Sequence, residues 1–409
     1  MNDAENLTKL LSHLPPAVFH GFLTGEIGVA MPGLDPKQGK REQRAAIEAV
    51  LTALPVRERQ KIDEMAERIV LLSDGAGQDV VEGFREDIFD DASRKTFGEI
   101  RNQYERAIWL YSNEPDIFKE ALDARQADVF RQSRACYSGF IAPTHLAVKD
   151  DPESRNSFHQ KIAQRLDCET ADVAVQFFKR LRPETNTGED VEIYQISIHN
   201  NRPPELVDCV QASELVTQEV ISAASSHITY EPANGHLEVL SRDTNGREML
   251  ARIAADCIFK SPFSGATIPL KQYDYQSLAG SRNFDLSGEN VSSVKVVELG
   301  HTLANHRSLL VKIWTKDVDN IHAAAKSMIG PTFDFRDHRL NYAKLSIRLK
   351  KDGAERARTI SVVLRDDNKC NVKTKREKDR ALCDRLLAKW HLVKEIGDGA
   401  TAPVHALAA

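Results

Sequence analysis

The feature that most narrows the fold is a change of periodicity near Cys136. Before it, apolar residues recur at helical spacing; after it, they alternate as in strands. Residues 41–54 are rich in Ala, Glu, Arg and Leu, and Pro55 then stands where the first turn of a new helix accepts proline. Ile62, Met65, Ala66, Ile69 and Val70 share one face of that next helix, and Ser73-Asp74-Gly75 ends it. A third helix is predicted over roughly 92–112 from Phe97, Ile100, Tyr104, Ile108 and Tyr111. A fourth follows over roughly 115–131, anchored by Phe118, Leu122, Val129 and Phe130. Residues 1–36, with Leu14-Pro15-Pro16 and Met31-Pro32-Gly33, read as irregular chain.

Beyond Cys136 a helix is predicted near 153–166, and 183–190 is a loop. Val191 to Ile198 then alternates, with Tyr194, Ile196 and Ile198 on one side. Residues 226–241 form the clearest hairpin: Ile228 and Tyr230 precede Asn234-Gly235, and Leu237 and Val239 follow. Arg247 to Phe259 reads as a helix, and 261–292 is loop-rich. Val294 to Trp314 is β-rich, with a turn at Asn305-His306. Asp317 to Met328 is helical, with Asp317 and Asp319 placed to cap it. Leu345, Ile347 and Leu349 alternate, as do Ile360, Val362 and Leu364. Lys375 to Trp390 is an amphipathic helix that Leu382, Leu386 and Trp390 pin to the 345–364 hairpin. The expected fold class is α+β, a helical N-terminal domain followed by a larger β-rich region with interspersed helices. The expected division is a helical domain over 1–135, an α+β region over 136–290, a basic α+β region over 291–395 and a flexible tail over 396–409.

A length of 409 residues favours more than one domain. The stretch Leu14 to Leu34 is broken by Pro15, Pro16, His20, Glu26 and Pro32, so no membrane span is expected. The start MNDAENLTKLL lacks a basic segment, and the six cysteines include no C-x-x-C pair. Reduced thiols and a cytoplasmic location are the expectation.

Local motifs for chemistry fail one by one. Gly33 to Lys40, GLDPKQGK, has five residues between its glycines where a phosphate loop has four, and Arg41 stands where Ser or Thr would hold magnesium. No G-x-G-x-x-G, G-x-S-x-G or Glu-x-Lys occurs. His301 and His306, or Cys370 and Cys383, lack the spacing of metal ligands. No cofactor, metal or catalytic residue is therefore assigned. His227 and His236 bracket the hairpin and are expected to face each other across it, with Glu231 and Glu238 as solvated carboxylates.

Charge gives the remaining signal. Arg336 to Lys394 holds 18 Lys and Arg against 8 Asp and Glu, although the whole chain is −5. Lys344, Ser346, Arg348 and Lys350 face away from Leu345, Ile347 and Leu349, and Lys351 extends the strip. Lys375 and Arg376 lead into the last helix. Lys344, Arg348, Lys350, Lys351, Lys375 and Arg376 are thus the candidate nucleic-acid contacts, since such strips neutralise phosphates. The strip carries no aromatic side chain to stack on unpaired bases. The first reading is a non-enzymatic binding or scaffold protein with a protein partner. A nucleic-acid-binding protein, of regulatory or other role, is the alternative. A third is an enzyme whose site, built from His199, His227, Glu231 or His301, assembles only in the fold.

Overall fold

The computed structural model of the chain describes residues 4–84, 90–133, 135–183, 189–211, 213–302, 310–314, 320–351, 358–366 and 368–396. They form two compact units, one drawn from 1–182 and 190–265, the other from 183–189 and 266–409. The fold is α+β: helices lead, and antiparallel sheets with interspersed helices follow.

The first unit begins with a correction. Residues 1–36 are not all irregular, because helices α1 (Glu5–His13) and α2 (Pro16–Gly21) occupy their first half. Leu7, Leu10, Leu11 and Leu14 stand at i, i+3, i+4 and i+7 and are all buried. That is one helical stripe. The prolines that obscured it fall between the two helices, with Pro16 in a first-turn position. Next come α3 (Lys40–Ala53), α4 (Val56–Ser73) and α5 (Gly75–Glu82). Asp63 of α4 supplies the cap that α1 lacks, accepting from the Leu7 amide at 2.7 Å and from Asn6 Nδ2 at 3.0 Å.

The helix predicted over 92–112 is two helices, α6 (Asp91–Glu99) and α7 (Gln103–Asn113). The apolar stripe runs through both, but Asn102 interrupts the backbone between them. Its Oδ1 accepts from the Tyr104 and Glu105 amides at 2.9 and 3.3 Å, and its Nδ2 donates to the His13 carbonyl at 2.8 Å. Asn102→Ala is expected to cost about 1 kcal/mol, the usual worth of such a cap. A lowered urea midpoint with an unchanged slope would show it; an unmoved midpoint would contradict the capping role. Helix α8 (Pro115–Gln132) completes the helical part.

The rest of the first unit is built on the sheet order β1-β7-β6-β3-β2. Its strands are β1 (Tyr137–Ile141), β2 (Val173–Pro183), β3 (Asp190–Asn201), β6 (Ala223–Glu231) and β7 (His236–Leu240). Between β3 and β6 the chain adds β4 (Glu205–Gln211) and β5 (Glu214–Val220), which among the described residues pair only with each other. The predicted hairpin is β6–β7. Its loop needs Gly235 at φ +70°, and a Cβ there would sit 2.1 Å from the Ala142 carbonyl oxygen. On one sheet face Ile196, Ile198, Ile228, Tyr230 and Val239 share a core with Phe158 and Ile162 of α9 (Pro152–Leu166) and Leu250 of α10 (Arg247–Ala254).

The second unit holds β8 (Leu270–Tyr273), β9 (Val291–Thr302), β10 (Leu310–Trp314), α11 (Ile321–Ile329), β11 (Arg339–Leu349), β12 (Thr359–Arg365), β13 (Lys369–Cys370), α12 (Glu377–Lys389) and β14 (Val393–Ile396). Its main sheet has the order β10-β9-β11-β12-β13. Leu345, Ile347, Ile360, Val362 and Leu364 are buried with Leu386, Leu387 and Trp390, and Leu382 packs against them. The expected turn at Asn305-His306 and the caps Asp317 and Asp319 lie outside the described residues. Asn320 caps α11, accepting from the His322 and Ala323 amides.

Candidate functional site

The second face of the first sheet is polar and buried against α8. Alternation places Arg180 and Arg182 of β2, Gln195, Ser197 and His199 of β3, Ser225, His227, Thr229 and Glu231 of β6, and Glu238 of β7 on this face. Glu231 and Glu238, expected in solvent, are at most 2% exposed. Arg182 bridges them, donating to Glu231 Oε2 at 2.8 Å and Glu238 Oε2 at 3.0 Å. Arg131 of α8 reaches Glu238 Oε1 at 2.8 Å, and Thr229 donates to Glu238 Oε2 at 3.0 Å. Arg180 pairs with Asp128 of α8 at 2.6 Å. Among the described residues three buried guanidinium groups thus meet three buried carboxylates, and buried charge persists only when paired in this way.

From Arg180 a hydrogen-bond chain runs along the sheet to Gln126. Arginine only donates, so Gln195 Oε1 accepts from Arg180 Nε at 3.1 Å and Gln195 Nε2 donates to Ser197 Oγ at 3.3 Å. At the other end Gln126 Oε1 can only accept, so the neutral His227 ring donates to it from Nε2 at 3.1 Å and its Nδ1 accepts from Ser197 Oγ at 2.9 Å. The Gln126 amide NH2 group is what remains at the end. Burial pushes the His227 imidazole down to about 4, so it is neutral at pH 7. His199 behaves oppositely: its hydrogen bond to Asp123 Oδ2, 2.9 Å, raises its pKa. Its Nδ1 meets Ser225 Oγ at 3.0 Å. The expected pairing of His227 with His236 does not occur, because the strand register sets His227 opposite Leu240 and His236 opposite Glu231.

This face ends at an arm with a cleft at its root. The β3–β6 ribbon continues past Asn201–Ala223 through the bond from the Arg202 amide to the Ser222 carbonyl, 2.8 Å, into β4–β5. On the arm Leu206 is 75% and Leu215 73% exposed; Val207, Val210, Val220 and the adjoining Ile221 are exposed as well. Register sets Leu206, Val210 and Leu215 on one face and Val207, Cys209, Val216 and Val220 on the other. Residues 205–220 also carry Glu205, Asp208, Glu214 and Glu219 with no Lys or Arg. None of these carboxylates forms an ion pair with a described residue. The cleft, about 290 Å³, is walled by Gln126, Phe130, Arg165, Arg202, Ser241 and Arg242 among others.

The sequence-derived basic residues lie in the second unit and share less than expected. Lys344 and Arg348 do stand on the outer face of β11, but Lys344 is committed to Glu298 at 2.8 Å. Arg348 is exposed, Lys350 donates to the Glu289 carbonyl at 3.0 Å, and Lys351 follows it into solvent. Lys375 and Arg376 are half-buried before α12. Neighbouring cations are also held by carboxylates: Arg358 by Asp379, Arg385 by Glu289, Lys389 by Asp285 and Lys394 by Asp274. Of the four residues weighed for an assembled active site, His199 and His227 come together with ring centroids 6.3 Å apart. Glu231 is occupied by Arg182, and His301 is buried in the second unit, stacked on His338.

Sequence reading passed over Asp123, Gln126, Arg131, Arg180, Arg182, Arg202 and Arg242, and the arm. The one local signal was the mixing of Leu and Val with acids across 205–220. Among the described residues no three His, Cys, Asp or Glu side chains gather as metal ligands, and no helix is long and apolar enough to cross a membrane. No family model matches the chain, and comparison with curated proteins gives no match.

Proposed function

We propose that the chain is a binding or scaffold protein whose β4–β5 arm takes an extended, basic segment of a partner protein. The observation that carries this reading is the arm itself: large apolar side chains on both faces and, among the described residues, two strand edges without a neighbouring strand and four carboxylates without an ion pair. Contiguous exposed apolar surface marks interaction sites. Open edges accept an added strand through main-chain hydrogen bonds, with alternate side chains giving specificity. A lone two-stranded ribbon is marginal in water, so a third strand would also stabilise it. The carboxylates disfavour a second arm and favour lysine or arginine beside the apolar contacts. Nucleic acid is the weaker reading, because the acidic arm repels phosphate and several second-unit cations, Lys344, Arg358 and Arg385 among them, are already paired.

Selection from a random peptide library against the full chain is expected to enrich Leu, Ile or Val alternating with Lys or Arg. The double variant Leu206→Ser/Leu215→Ser changes only exposed positions and keeps its melting temperature. Its affinity for the selected peptides is expected to fall about tenfold or more. Unchanged affinity, or enrichment of acidic peptides, would reject the reading.

A further inference from the structure

The cleft at the root of the arm is a second feature, independent of what the arm binds. We infer that it is a binding site for a small organic phosphomonoester. Arg165, Arg202 and Arg242 line it against a single carboxylate, Asp243. Asp243 is already engaged, by Arg165 at 3.7 Å and by the Gly246 amide at 3.0 Å. Arg202 and Arg242 form no ion pair with a described residue, and Arg242 lies over the Phe130 ring at 5.7 Å. Two unmatched guanidinium groups in a concave wall attract an anion and can grip phosphoryl oxygens bidentately.

Neutral donors in the wall complete the site. The buried Ser241 hydroxyl accepts from Ser226 Oγ at 2.8 Å and from the Asp243 amide at 3.1 Å, so its own proton is left to donate. With Gln126 Oε1 facing His227 Nε2, the Gln126 NH2 group is left as a donor too. Phe130, Leu166, Ile198 and Leu250 give the wall an apolar part. A volume of about 290 Å³ exceeds what a bare phosphate fills, given about 30 Å³ for one liquid water. An organic body attached to the phosphate would occupy the remainder.

The test is isothermal titration of the full chain at low salt with phenyl phosphate, inorganic phosphate and phenol. Phenyl phosphate is expected to bind best, phosphate more weakly, and phenol not at all. Arg202→Gln/Arg242→Gln, both at exposed positions, is expected to weaken phenyl phosphate about tenfold or more. Gln126→Glu, which keeps the acceptor for His227 but removes the donor, is expected to weaken it as well. No binding at millimolar concentration, or unchanged binding in the double arginine variant, would overturn the site. Phosphate binding as tightly as phenyl phosphate would overturn the ester and assign the cleft to free phosphate. Peptide binding by the arm is read separately, so failure of one reading leaves the other intact.

Discussion

Arg182→Ala is expected to destabilise the first unit by about 3–5 kcal/mol, the usual cost of stranding buried charge. The residue is 2% exposed and bonded to two carboxylates that are themselves buried. Without it Glu231 keeps Asn234 Nδ2 at 2.8 Å and Glu238 keeps Arg131, but each carboxylate loses its bond from Arg182. Removing one buried positive charge from between them favours protonation of these carboxylates or draws water between α8 and the sheet. Arg182→Met/Glu231→Leu removes charges of both signs and fills similar volume, so it is expected to recover part of the loss. Urea unfolding followed by circular dichroism reads both variants in the transition of the first unit. A loss under about 1 kcal/mol for the single variant would show that the network adds nothing beyond solubility of the face.

Acid is expected to act on the same face through His227. In the folded chain this imidazole titrates at about 4, against 6.5 for an ordinary histidine. Between those two values the unfolded chain binds a proton that the native chain refuses. Stability therefore falls as pH drops from 6.5 towards 4, by about 3 kcal/mol in all, and levels off below. His199 has the opposite sign. Its raised pKa favours the folded state in acid, and that contribution is lost as pH rises through the folded value, above the window in which His227 acts. His227→Gln can still accept from Ser197 and donate to Gln126 without titrating. It is expected to flatten the acid limb of a stability–pH curve at constant ionic strength, and an unchanged slope would contradict the assignment.

The parts of the fold legible in the sequence are those whose buried face is apolar. The β6–β7 hairpin, the Leu345–Leu349 and Ile360–Leu364 strands and the stripe on α12 follow from spacing alone. Strand β2 did not, because its inward positions include Arg180 and Arg182, and charge at alternate positions reads as solvent-facing. Their partners Asp128, Glu231 and Glu238 lie far along the chain, so only the fold shows that these charges cancel. The break at Asn102 was hidden because the apolar stripe continues across it, and capping acts on backbone amides that periodicity does not register. The basic strip looked freer than it is for a related reason. Its window began at Arg336 and left out Asp274, Asp285, Glu289 and Glu298, the carboxylates that hold several of its cations. The arm was missed because a ribbon exposed on both faces has no one-sided alternation to detect.

The arm is the centre of the functional reading, and its charge preference can be measured with defined probes. Two labelled strand peptides of equal length, one alternating leucine with lysine and the other leucine with glutamate, are titrated against the full chain by fluorescence anisotropy. A control chain has 205–220 replaced by a short turn. The expected result is saturable binding of the lysine peptide that weakens with salt, little binding of the glutamate peptide, and loss of binding without the arm. Equal binding of the two peptides, or undiminished binding to the armless chain, would contradict the account.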